Sequence, residues 1–118
     1  MVVCIPVTKE GHLDPRWGRA DRVAVVSVSG TSGIESWEEF EVGWGWRHDE
    51  GPEGQHHARV ATFLREHGVT TVVAAHMGEG MIHMLGRMGI RVHLGADGLA
   101  REAALAALGS RRPAGEWA

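Results

Sequence analysis

The amino-acid sequence predicts a single α/β domain built around one mixed β-sheet. In the second half of the chain, short apolar runs alternate with segments of helical periodicity, which is typical of parallel strands joined by helices. The first half instead contains three β-rich runs separated by polar or glycine-rich segments, which predicts antiparallel strands. A chain of 118 residues with 43% hydrophobic residues can bury one core, and it shows no internal repeat or linker.

Five strands and three helices are predicted in chain order. The first and second strands are apolar runs, and the third pairs with the second as a hairpin through the turn cluster at 30–33. Gly68 and Gly89 stop the first two helices. The predicted strands are 1–7, 22–28, 34–42, 69–75 and 90–94, and the predicted helices are 55–67, 81–88 and 99–108. Residues 43–55 are predicted to form a long loop, and residues 109–118 a loose tail.

Composition and charge narrow the classes of function. The net charge is −3 and both signs are mixed along the chain, so the basic patch that nucleic-acid binding needs is missing. The single cysteine, Cys4, lies in an apolar run and cannot form a disulfide within the chain, which fits a reducing compartment. No signal peptide and no apolar run of about 18 residues is visible. We therefore expect a cytoplasmic protein that binds neither nucleic acid nor membrane, and its oligomeric state stays open.

Most of the eight histidines fall in segments that this topology places at one edge of the sheet. The loops after parallel strands share the carboxyl edge, where open α/β sheets bind their ligands. Histidine is the commonest metal ligand, and neutral imidazoles suit zinc, copper, nickel or iron. The alternative is that these histidines are merely solvated polar side chains. The candidate metal ligands are His12, His48, His56, His57 and His76.

A glycine-rich turn joins the fourth strand to the second helix. Gly78, Glu79 and Gly80 could present backbone amides to an anionic ligand, although the spacing of a phosphate loop or dinucleotide motif is missing. The alternative is a tight turn that needs positive φ, which would explain the glycines alone. Methionines recur at helical spacing from Met77 to Met88, and we interpret this stripe as core packing.

Two further functions compete with metal binding. Trp44 and Trp46 alternate with glycines near the carboxyl edge of the sheet, so they could form an exposed surface of a protein-interaction module. They could equally be a strand end folded onto a helix. A metal-dependent hydrolase would need a cluster of carboxylates. The rim offers mainly Asp14, Glu79 and Asp97, so this class is the least supported.

Three stretches resemble a known family, the dinitrogenase iron-molybdenum cofactor biosynthesis family. The loop 14–20 is similar to a family pattern of Asp, two residues, an aromatic residue and then Gly-Arg-Ala. Residues 54–57 (GQHH) are similar to the family's entry to the first helix, and 68–81 (GVTTVVAAHMGEGM) to its strand, glycine turn and helix. The resemblance extends to about residue 108, so we expect one such domain at 1–108 and a tail at 109–118.

The resemblance implies a ribonuclease H-like fold and the binding of an iron–sulfur or iron–molybdenum type cluster without catalysis. It also implies partner proteins that donate or accept the cluster. The positions that match are His56 or His57 and the turn Gly78, Glu79 and Gly80. No cysteine lies on the rim, while His76 and His48 are additional to the family pattern. A single histidine-bound transition metal ion is therefore the rival to a cluster, and in either case we expect a carrier and not an enzyme.

Overall fold

A computed structural model describes residues 1–47 and 53–109 of the chain. Within these residues it confirms a mixed α/β architecture of five strands, with three main helices. The strands are β1 (Val2–Pro6), β2 (Arg22–Ser29), β3 (Gly33–Glu41), β4 (Thr71–Val73) and β5 (Arg91–His93). The helices are α1 (Trp44–Arg47, a single turn), α2 (Glu53–Glu66), α3 (Glu79–Arg87) and α4 (Ala100–Gly109), and a short 3-10 turn spans Trp17–Arg19.

The strand order in the sheet is β3-β2-β1-β4-β5. Antiparallel pairs join β1 to β2 and β2 to β3, whereas β4 pairs parallel with both β1 and β5. In the central strand, Cys4 lies opposite Val25 on one side and Val72 on the other. The carboxyl ends of β1, β4 and β5 therefore meet at one edge of the sheet, as the sequence predicts. The ribonuclease H-like class remains a prediction.

Side chains of opposite faces of the sheet enter two separate cores. On one face, Cys4 and Val72 pack with Leu64 of α2 and Leu85 of α3. On the other face, Val3 and its neighbours pack against small residues of α4, which are Ala100, Ala104 and Ala107. Because successive strand residues point to opposite faces, adjacent residues of β1 serve different cores. The methionine stripe belongs to the first core, as predicted: Met81 is buried, and Met77, Met84 and Met88 pack against it.

The predicted long loop at 43–55 is wrong at both ends. Helix α1 occupies its start and α2 begins at Glu53. Long-range contacts explain α1, since the Trp44 amide donates to the Ala20 carbonyl at 3.0 Å and the Trp44 ring is buried. A Cβ on Gly45 would lie 2.7 Å from the Arg19 carbonyl oxygen, so this close approach of two main chains requires glycine. Residues 48–52 lie outside the described residues.

Other element ends differ by a few residues. The predicted strands at 69–75 and 90–94 pair over only three residues each, and α3 begins at Glu79 with Gly78 as its N-cap. Helix α4 continues to Gly109, and the rest of the predicted tail lies outside the described residues. In the part of the chain that is described, no helix has the length and apolar character needed to cross a membrane.

Candidate functional site

A cavity of about 330 Å³ lies beyond the carboxyl end of β4. We call it the histidine cavity. It lies where the 3-10 turn, the beginning of α2 and the beginning of α3 meet. Its lining residues are Arg16, Trp17, Gly18, Arg19, His56, His57, His76, Met77, Gly78, Glu79, Gly80 and Met81. Three of the predicted metal ligands and the whole predicted glycine turn therefore line one space.

His56 and His57 reach the cavity from the amino-terminal part of α2. His56 is buried, with 2% of its surface exposed, and its Nδ1 lies 3.4 Å from Nη1 of Arg59. His57 is half-buried, and the centroids of the two imidazole rings are 6.4 Å apart at an interplanar angle of 49°. Neighbouring helical residues point about 100° apart, yet both side chains line the cavity.

Two glycines leave room for these rings. A Cβ on Gly18 would lie 3.7 Å from Nε2 of His56, and a Cβ on Gly80 would lie 3.2 Å from Cε1 of His57. The His57 imidazole therefore lies directly against the first turn of α3. Neither Gly78 nor Gly80 has a positive φ, so the alternative explanation of these glycines as a positive-φ turn is wrong. At Gly80 the reason for glycine is space for the imidazole.

The first turn of α3 presents backbone amides to the cavity. The Ile82 amide donates to the Gly78 carbonyl at 3.1 Å, which is the first bond of the helix. Within the described residues, the amides of Glu79, Gly80 and Met81 have no hydrogen-bond acceptor in the protein. Such amides and the helix dipole favour negative charge at a helix amino terminus.

A buried carboxylate fixes the opposite wall of the cavity. Asp14 is 5% exposed and accepts hydrogen bonds from the backbone amide of Arg16 at 3.0 Å and from its Nε and Nη2 at 3.1 and 3.0 Å. The hydrogen bond to Asp14 raises the pKa of the Arg16 guanidinium, so this group stays charged. An isolated parallel bridge joins the backbones of Arg16 and His76. Arg16 is thereby held beside the end of β4.

Trp17 completes this wall. Its ring is 2% exposed and makes an edge-on contact with Trp44, with ring centroids 5.3 Å apart. The indole Nε1 is buried and has no hydrogen-bond acceptor among the described residues. A buried donor without an acceptor is uncommon and has a cost in free energy, so it marks a place where a ligand atom would be stabilising.

Trp44 is not part of an exposed interaction surface. It is 2% exposed and packs against Trp17 and against Phe63 of α2, with ring centroids 5.7 Å apart in the second pair. The predicted partner surface of Trp44 and Trp46 is therefore wrong for Trp44, because the ring belongs to the core. The side chain of Trp46 lies outside the described residues.

Other predicted residues lie elsewhere. His12 is exposed and its backbone forms an isolated bridge with Leu99, away from the lining of the histidine cavity. His48 lies outside the described residues. His93 is buried on the face of α4, where burial and the nearby Arg91 lower the pKa of its imidazole.

The three carboxylates considered for hydrolysis line three different cavities. Asp14 borders a cavity of about 610 Å³, Glu79 the histidine cavity, and Asp97 a groove of about 530 Å³ beside α4. Across residues 1–47 and 53–109, no three His, Cys, Asp or Glu side chains are grouped so that they could hold a metal ion. Neither the carboxylate cluster of a metal-dependent hydrolase nor a set of three grouped histidine ligands is thus assembled in the described part of the chain, although His56, His57 and His76 line one cavity.

Residues of the histidine cavity that were not predicted come mainly from the loop 16–19 and from Met77 and Met81. Only its resemblance to a family pattern indicates the loop, since local periodicity does not reveal that it folds over the end of β4. The helical spacing of the two methionines predicts core packing alone. The available signal in the sequence was the closeness of Met77 and Met81 to His76 and to the glycine turn.

Comparisons with known proteins identify the family and agree with the fold. The family model described as dinitrogenase iron-molybdenum cofactor matches residues 1–111. The apo form of the orange protein from Desulfovibrio gigas is 21% identical with a TM-score of 0.73, and the match covers 98% of this chain and 93% of that one. A Thermotoga protein provisionally described as NifB, of the DUF35 family, is 25% identical with a TM-score of 0.67, covering 96% and 91%. No curated protein matches the chain.

Proposed function

The chain belongs to the dinitrogenase iron-molybdenum cofactor family, and from this premise we propose that it binds and carries a metal cluster or its metal precursor in the histidine cavity. It does so without catalysing a reaction, and it receives and delivers its cargo through cluster-handling proteins. Family membership also supports a ribonuclease H-like class for the fold. Together with the lone cysteine, it supports a cytoplasmic location.

The observation that carries the proposal is that three histidines from two distant segments of the chain line one cavity. His56 and His57 come from α2 and His76 from the segment after β4, and all three line one cavity. Imidazole is a ligand for most transition metals of cofactor assembly. A chance collection of solvated histidines would not be expected to share a cavity with a buried member such as His56.

The charge and the donors around the cavity favour a cargo that is negatively charged. Arg16 and Arg19 line it, the free amides of α3 face the same region, and Glu79 is its single acidic side chain. Metal clusters with bridging sulfides or terminal oxygens present acceptors of this kind on their surface. We infer that the imidazoles and these hydrogen-bond donors both bind the cargo.

Thiolate ligation has no source among the cavity residues. The only cysteine, Cys4, is fully buried in the central strand, and burial raises the pKa of its thiol well above the ordinary value. The thiol therefore stays protonated and is not a ligand. The donor set fits a cluster that keeps its own sulfide ligands, or a single metal ion bound by imidazoles. It does not fit an iron–sulfur cluster held by protein thiolates.

Metal analysis of protein purified anaerobically from its native host tests the proposal. We expect stoichiometric metal in the wild type, with visible charge-transfer absorption if the cargo is a cluster. His57→Ala and His76→Ala should lose most of the metal, because each removes an imidazole from the cavity. His83→Ala is the matched control, since His83 is exposed on α3 and does not line the cavity. Full metal content in both cavity variants would overturn the proposal.

A further inference from the structure

We propose that the last segment of this chain, residues 110–118, folds back along α4 and docks its Trp117 side chain in the groove beside that helix. This groove shares no lining residue with the histidine cavity, so the inference is independent of the proposed function. The segment itself lies outside the described residues. The surface of the groove, the length of the segment and its charges together favour this position.

The groove gathers exposed apolar surface. It has a volume of about 530 Å³ and adjoins a smaller cavity of about 240 Å³, since His93 and Ala107 line both. Three large apolar side chains are exposed in the described part of the chain, and all of them line these two spaces. Leu94 and Leu99, 42% and 45% exposed, line the groove, and Met1 lines the smaller cavity. Such a concentration marks a surface that another segment covers.

Small side chains of α4 leave room for a large ring in this groove. Ala103, Ala106 and Ala107 line it along the helix, with the two exposed leucines nearer the start of the helix. A tryptophan side chain buries about 150–250 Å² when it packs on such a surface, and this burial is strongly stabilising. Trp117 is the only aromatic residue of the segment 110–118 (SRRPAGEWA) and therefore the side chain that fits the groove best.

The segment is long enough to reach the leucines. Helix α4 ends at Gly109, and Leu99 lies about 15 Å back along the helix axis, given the rise of about 1.5 Å per residue. Trp117 is the eighth residue after Gly109, and eight extended residues span about 26 Å. The difference leaves chain for a reversal of direction, which the sequence Pro-Ala-Gly at 113–115 favours.

The charges of the groove and the segment are opposite. Asp97 and Glu102 line the groove, and no arginine or lysine does so among the described residues. The segment carries Arg111 and Arg112 against a single acidic residue, Glu116. The two arginines follow the carboxyl end of α4, where the helix dipole also favours positive charge, and Glu102 lies about two turns back on the same helix. Electrostatic attraction therefore favours a path of the segment along α4.

Nuclear magnetic resonance of leucine methyl groups in the full-length chain tests the inference. An indole ring shifts the signals of methyl groups beside it, so Trp117→Ala should move the signals of Leu94 and Leu99. The signal of Leu64, in the core on the other face of the sheet, should stay in place. Ala114→Ser is the matched control, because it alters the segment without removing the ring or a charge, and it should move none of these signals. Identical Leu94 and Leu99 signals in the wild type and Trp117→Ala would overturn the inference.

Trypsin gives a second readout, because it cleaves after Arg111 only while the segment is out of the groove. Trp117→Ala should speed this cleavage by about tenfold, and Glu102→Gln by a smaller factor. Equal cleavage rates in the wild type and Trp117→Ala would contradict docking. The methyl signals of the wild type should also be independent of protein concentration, since the docking is within one chain. Signals that move toward those of Trp117→Ala on dilution would assign the groove to the segment of a second copy and overturn the inference.

Discussion

Two strand–turn–helix units in this molecule occupy equivalent positions and differ in the hydrogen bonding of their backbone amides. The turn after β4 leads into α3, and the turn after β5 leads into α4. Both are rich in glycine and both lie at the carboxyl edge of the sheet. In the first unit, the amides at the start of α3 have no protein acceptor among the described residues. The side chains around it are histidines and arginines.

The second turn is closed by backbone hydrogen bonds to two other segments of the chain. The amides of Gly95 and Ala96 donate to the carbonyls of Ala75 and Ala74 at 2.8 and 3.2 Å, and the amide of Ala100 donates to Gly11 at 2.9 Å. Its glycines, Gly95 and Gly98, have φ of 83° and 75°, which requires glycine for conformational reasons. Topology therefore places two turns at the ligand-binding edge. The backbone of the second turn is bonded to neighbouring segments, whereas the first turn of α3 makes no such bond among the described residues.

The largest expected effect comes from removing the carboxylate that holds the wall of the open turn. Asp14→Asn keeps the shape of the side chain but weakens three hydrogen bonds to Arg16, and we expect it to lower the free energy of unfolding by about 2 kcal/mol. Chemical denaturation measures this. Glu39→Gln is the control, because the Glu39 side chain is 34% exposed against 6% for Asp14, so its ion pair with Arg22 should be worth less than about 1 kcal/mol. Equal losses in the two variants would show that Asp14 has no special role.

The closed turn should respond to a change in its backbone. Gly98→Ala places a side chain at φ of 75°, which costs about 1–2 kcal/mol of stability. Metal content should be unchanged, because Gly98 does not line the histidine cavity. Thermal unfolding and elemental analysis of the same sample check both statements. A stable variant that has lost its metal would contradict the contrast between the two turns.

The open turn should respond in the opposite way. Gly80→Ala introduces a helix-favouring residue and should change stability by less than about 1 kcal/mol. Its methyl group would push on the His57 imidazole, which must move by a few tenths of an ångström. We therefore expect weaker metal retention in a protein of nearly normal stability. Gly86→Ala is the matched control on the same helix, since a Cβ there meets nothing within 4 Å.

The smallest effect concerns pH and the buried histidine beside the closed turn. Burial and Arg91 lower the pKa of His93 in the folded protein, so the unfolded chain binds the proton more readily. Stability should therefore be complete above the ordinary histidine pKa of about 6.5 and decrease as the pH falls below it. His93→Gln should flatten this part of the pH profile of unfolding. An unchanged profile would assign the acid sensitivity to other groups.

The order of elements and the meeting of His56, His57 and His76 could be predicted because periodicity and strand direction are local properties of the sequence. The helix at Trp44 could not, since it depends on burial of that ring against Trp17, far away in the chain. The same limit applies to the loop containing Arg16. Its place over the end of β4 depends on a bridge to His76, sixty positions later in the sequence. Contacts of this kind leave no periodic signal.

The single thiol has a use that follows from its position. Cys4 is fully buried in β1, the middle strand, with β2 on one side and β4 on the other. An alkylating reagent can reach it only after these strands separate, because a protonated and inaccessible thiol does not react. The rate of alkylation therefore reports the rate at which the sheet opens. Mass spectrometry can monitor the alkylation of this one thiol without any engineered label. The measured rate would give the frequency with which β1 separates from β2 and β4.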